Sequence, residues 1–224
     1  MQVSAACAGV RTLTAEIGLS GRAGRQRLRG RVVAGFARPA SMRLEGVAPF
    51  GPPAFILVSR AESATLLLPR DEPRVLRGAP PEDILGALTG VALGPADLQA
   101  ILTGCVVPSP QPVSARQHGN GWASIDLSGG TTLYLQPAAQ NMWTLRAATR
   151  AGWRIEYPSW SGGFPQTVRL QSTQTDVNVD LTATLSQIET NKDLEDAAFT
   201  VDIPSDADPI TLDDLRASGP LGSA

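Results

Sequence analysis

The side chains that could do covalent or acid–base work in this 224-residue chain are few: one histidine, two cysteines and scattered carboxylates. His118 lies in RQHGNGW, a glycine-rich turn. A general base needs a reacting partner held within hydrogen-bond reach, and an exposed loop position is expected for it instead. Cys7, Cys105 and His118 stand far apart in sequence and cannot supply the usual zinc ligand set. Glu189, Asp193, Glu195 and Asp196 cluster near the C-terminal third and read as a solvated face. No G-x-S-x-G elbow and no glycine-rich phosphate loop occurs. The chain is expected not to be an enzyme, and no metal or cofactor is required.

Two other patterns carry binding chemistry. Arg25, Arg27, Arg29 and Arg31 alternate with Leu28, Gly30 and Val32, with Arg22 close by, so a strand here presents a basic stripe on the face opposite its apolar side chains. That stripe fits either lipid phosphates at a membrane surface or a solvated strand face. No aromatic residue interleaves with it, and the formal net charge is -2, so nucleic acid is not an expected partner. The second pattern is LEGVAPFGPPAF, which puts Phe50 between Pro49 and Gly51 at the tip of a turn. A large apolar side chain there either folds back onto the core edge, sheltered by Pro52, Pro53 and Phe55, or projects into an apolar phase.

The elements that must position these residues are strands. With 42% hydrophobic residues the chain can bury a full core, and Gly 22 and Pro 18 punctuate it too often for a helical protein. A period of two runs through Leu13, Ala15, Ile17 and Leu19 and again through Leu28, Val32 and Phe36. Further strands are expected at 41–47, 54–60, 64–69, 73–77, 122–127, 131–136, 142–149, 153–157, 167–172 and 176–188. About eleven antiparallel strands with one apolar face need closure into a barrel or half-barrel to avoid exposed edges. The interruption, PPEDILGALTGVALGPADLQAILTG, reads as two short helices at about 81–90 and 95–104, each with proline in its first turn and glycine past its end. Leu85 and Leu88 fall on one face of the first, Leu98, Ile101 and Leu102 on one face of the second. These faces either close the core or form a lid over an apolar cavity. No run of about 18 apolar residues occurs, so no helix is expected to cross a bilayer.

Three stretches, LEGVAPFGPPAFIL, ALTGVALGPADLQAILTG and NKDLEDAAFTVDIP, in that order, resemble the LolA/LolB lipoprotein-localisation family, and the Pro-hydrophobe-Gly turn resembles its LolB branch. The resemblance runs from about Val10 to Pro204. It implies a mainly β fold, a half-open antiparallel β-barrel whose mouth is plugged by short helices, as one domain over 1–224 with a further short helix at about 3–11. Asn191 to Pro204 is similar to the family's closing strand. An insertion-like PSWSGGFP stretch after Tyr157 departs from the pattern.

The function so implied is that of a periplasmic protein that accepts acyl chains in an apolar cavity and delivers lipoprotein to the outer membrane. Expected cavity residues are Leu28, Val32, Phe36, Leu44, Phe55, Leu57, Leu88, Leu98, Ile101 and Leu102, and Pro49, Phe50 and Gly51 are the expected membrane contact. Partners would be acylated lipoproteins or other lipids, the outer-membrane surface and a periplasmic carrier protein. The alternative is a carrier of another amphiphile, such as a phospholipid or hopanoid, or a structural subunit of an envelope complex. MQVSAACAGV has neither a basic leader nor a long apolar stretch, so the export signal and a lipidated anchor are expected outside this chain. In an exported protein with two cysteines, Cys7 and Cys105 have one intramolecular pairing available, and a disulfide between them is expected.

Overall fold

The structure is a computed structural model, which describes residues 9–70, 72–105, 111–138, 142–150, 152–174 and 178–218. β1 (Thr12–Ala23) buries Leu13, Ala15 and Ile17 and turns the intervening residues outward, as a pleated strand with one covered face must. It pairs with β2 (Gln26–Ala37) in unbroken antiparallel register, from Thr12 opposite Ala37 to Ala23 opposite Gln26. The meander continues through β3 (Ser41–Val47), β4 (Phe55–Arg60), β5 (Ser63–Leu68) and β6 (Arg74–Ala79). Two helices follow, α1 (Pro81–Thr89) and α2 (Pro95–Thr103). A second meander comprises β7 (Pro112–Gln117), β8 (Ala123–Leu127), β9 (Thr131–Pro137), β10 (Trp143–Arg150), β11 (Trp153–Ser161), β12 (Phe164–Ser172) and β13 (Val179–Thr190).

β13 returns to pair with β1, Leu13 opposite Thr190 and Ala23 opposite Val179, so the two meanders join along one seam. Near the C-terminus β14 (Asp208–Pro209) adds in parallel to β6, and α3 (Leu212–Ser218) follows it. The result is one open sheet of 14 strands, in the order β14-β6-β5-β4-β3-β2-β1-β13-β12-β11-β10-β9-β8-β7. It does not close, and it has the half-open form expected of the sequence. Buried residues of α1 and α2 join the same apolar cluster as those of the strands, which puts both helices on the inner face. Outside the seam, Arg169 Nε and Nη2 donate to the Asp180 carboxylate at 2.8 and 2.7 Å and tie β12 to β13. Those bonds hold the Asp180 carboxyl below the usual carboxylate range.

Several expectations need correcting. Among the described residues the strands number 14 rather than about eleven. β7 escaped because all its residues are exposed and it has no buried face to leave a period of two. PSWSGGFP forms the tip of the β11–β12 hairpin, with Ser161 opposite Phe164. Asn191 to Pro204 is not a strand. Its one regular feature is a 3-10 turn, Asp196–Phe199, that buries Phe199, and the Ala198 carbonyl within it and the Thr200 carbonyl just past it accept hydrogen bonds from Arg43. Of the helix expected at about 3–11, residues 3–8 lie outside the described residues, and Gly9, Val10 and Arg11 are not helical. Arg25 sits in the turn between β1 and β2 and not on the strand face.

Candidate functional site

α1 and α2 begin with proline at the first turn, which loses no hydrogen bond there, and both end where glycine adopts a left-handed conformation, Gly90 at φ 75° and Gly104 at φ 67°. These ends also fit the sheet closely. A Cβ on Gly90 would lie 3.1 Å from the Ala23 Cβ and 3.2 Å from a Val179 methyl, and one on Gly104 would collide with the Trp160 indole. The first contact seats α1 near the β1–β2 turn, and the second seats α2 on the β11–β12 hairpin. An ion pair at 2.6 Å between Asp97 and Arg150 ties α2 to β10 as well.

Between these helices and the sheet lies a partly open apolar cavity of about 140 Å³. Val32, Phe36, Leu44, Phe55, Leu88, Leu98, Ile101 and Leu102 line it. Leu28 and Leu57 do not. Both are buried in the core, Leu57 to 0% exposure. Facing strands add Ile17, Leu19, Val168, Leu170, Leu181 and Ala183, and α1 adds Leu85. The strand alternation pointed to most of these inward positions, but alternation alone cannot separate a cavity wall from solid core. Gly46 helps shape the wall: its cross-strand partner is Phe55, whose ring occupies the space where a Cβ would stand.

Among the described residues the wall has one polar side chain, Thr89. Its hydroxyl donates to the Leu85 carbonyl at 2.8 Å and accepts from the Val91 amide at 3.2 Å, so it has no proton left to donate to an occupant. The cavity can therefore select only by apolar contact and shape.

The β3–β4 turn holds Pro49, Phe50 and Gly51 at the surface, Phe50 at 87% exposure and Gly51 at φ 75°. His118 is an exposed turn residue whose Nε2 is 2.8 Å from Ser124 Oγ. The clustered carboxylates include surface partners of basic residues, Glu189 with Lys192 and Asp196 with Arg60. Cys105 is buried just past α2 and is not a free thiol, whereas Cys7 lies outside the described residues.

Solved structures share this architecture. A DUF1329-family protein from Desulfovibrio piger superposes with a TM-score of 0.57 at 10% identity, covering 86% of this chain and 90% of that one. A LolA-superfamily protein from Nitrosomonas europaea gives 0.56 at 10% identity, with 89% and 93% covered. The fold is LolA/LolB-like. A domain from Vibrio parahaemolyticus, described as an outer-membrane lipoprotein-sorting protein, matches at 0.50 and 11% identity over 84% of this chain and 88% of its own. No family model matches the sequence, and no curated protein matches it.

Proposed function

We propose that the protein is a lipid carrier or receptor of the cell envelope, which takes acyl chains of a lipoprotein into the cavity beneath α1 and α2 and passes them to the outer membrane. One observation carries this reading: an apolar cavity whose one polar wall residue among the described residues, Thr89, already donates its hydroxyl proton within α1. Such a wall binds hydrocarbon at about 0.8 kcal/mol per buried methylene and contributes nothing to a reaction. The description of the Vibrio domain as an outer-membrane lipoprotein-sorting protein supports lipoprotein as cargo. A phospholipid or hopanoid would fill the same apolar space, and a structural subunit would leave it empty. In this reading the work is non-covalent, the location is the periplasm with a lipidated anchor at the outer membrane, and Phe50, presented by Pro49 and Gly51, touches the bilayer. The Cys7–Cys105 disulfide would pin the start of the chain to the end of α2.

Uptake of a fluorescent fatty acid tests the proposal. Wild-type protein should bind it, and Ala183→Phe, which puts a ring into a space of about benzene size, should lose most of that binding while keeping its β-sheet circular dichroism. Wild-type protein that takes up neither fatty acid nor acylated peptide would end the carrier reading.

A further inference from the structure

The β1–β2 hairpin carries Arg22, Arg25, Arg27, Arg29 and Arg31, and no carboxylate among the described residues forms an ion pair with any of them. Elsewhere on the sheet Arg43, Arg154 and Arg169 each hold one. Arg22 even stands directly opposite Arg27, where like charges destabilise a strand pair. The carboxylates nearest in register do not relieve this. Glu45 is held by Arg43, Asp180 by Arg169, and Glu16 stands opposite Val33.

A groove of about 530 Å³ follows this face, lined by Arg29 and Arg31 of β2 and by Val47, Ala48 and Pro49 at the root of the Phe50 turn, with no carboxylate on its wall. The same corner is apolar. Of the six large apolar side chains exposed among the described residues, Val33, Val47 and Phe50 belong to β2, β3 and the turn that follows. Guanidinium groups beside an exposed aromatic match one surface in particular, a leaflet whose phosphates lie directly above hydrocarbon. A leaflet supplies both partners at once, phosphates for the arginines and hydrocarbon for Phe50.

We propose that this corner docks on an anionic phospholipid surface, with Arg29 and Arg31 receiving headgroup phosphates in the groove while Phe50 enters the apolar layer below. The inference rests on the reading of the Phe50 turn as a membrane contact and adds the lipid charge it selects. Co-sedimentation with vesicles of phosphatidylcholine alone, and with about one-third phosphatidylglycerol, tests it at low and high salt. Wild-type protein should bind the anionic vesicles more tightly, with the difference shrinking as salt rises. Arg29→Gln with Arg31→Gln should weaken anionic binding about thirtyfold and leave neutral binding unchanged. Arg29→Lys with Arg31→Lys should retain most of the preference, which separates lost charge from lost folding. Equal binding to both vesicles by wild-type protein, or an undiminished preference in the glutamine variant, overturns the proposal. Phe50→Glu separates the two ideas: wild-type binding by that variant, with the arginine effect intact, would remove the Phe50 contact and leave the arginine groove standing.

Discussion

Phe50 keeps 87% of its surface exposed, so almost none of its apolar area is used to hold the protein together. Phe50→Glu is therefore expected to shift stability by no more than about 0.5 kcal/mol, read from chemical denaturation, while abolishing the benefit of about 1.5 to 3 kcal/mol that an aromatic gains on burial. Loss of vesicle binding at unchanged unfolding midpoint is the expected pair of results; a large drop in midpoint would put Phe50 in the core. Cys105 raises a separate question, because it is buried directly after Gly104. Pairing with Cys7 would close a loop of roughly 100 residues and stabilise by about 4 to 5 kcal/mol on the chain-entropy account. Thiol titration of the unfolded, unreduced protein should find no reactive thiol in a monomer. Two per chain would exclude the bridge.

The helices show what local chemistry can reveal and what it cannot. α1 and α2 were legible almost to the residue, because proline at the start and glycine in a left-handed conformation at the end are backbone requirements that no packing detail overrides. Strands with one buried face were legible for the same kind of reason. β7 was not, since PVSARQ is exposed throughout and its pairing with β8 is a property of the sheet edge. Nor could sequence tell that Leu57 packs solid while Leu44, its cross-strand partner, faces the cavity. That distinction depends on where the helices rest. Gly104 is one of the residues that set where α2 rests. Gly104→Ala would force a Cβ into the Trp160 indole, 3.2 Å from the Pro165 Cγ, at a backbone angle that disfavours side chains. A destabilisation of about 2 to 4 kcal/mol is expected, measured as a fall in thermal midpoint of roughly 2 to 4 °C per kcal/mol for a chain of this size. An unchanged midpoint would mean that α2 seats elsewhere on the sheet.

At the scale of the molecule the cavity poses a problem of size. About 140 Å³ is close to the volume that holds a single benzene ring in engineered cavities, and a full acyl chain needs several times that. Binding a lipoprotein anchor therefore requires α1 and α2 to move away from the sheet. Their construction allows it. Each has 9 residues, too few to be stable without tertiary packing, and an open β-sheet keeps its own hydrogen bonds when a helix leaves its inner face. Among the described residues the Asp97–Arg150 ion pair is a polar tie between α2 and the sheet, with side chains 37% and 33% exposed. A pair so exposed contributes no more than about 1 kcal/mol to global stability, yet it acts directly on the motion that admits a chain. Arg150→Gln should accordingly leave the unfolding midpoint nearly unchanged, raise amide hydrogen exchange in 81–103, and speed uptake of a long-chain fluorescent fatty acid by several-fold. Faster exchange without faster uptake would show that the chain enters by another route. If neither changes, the helices are held by their apolar faces alone, and Leu88→Ala becomes the substitution that opens the cavity.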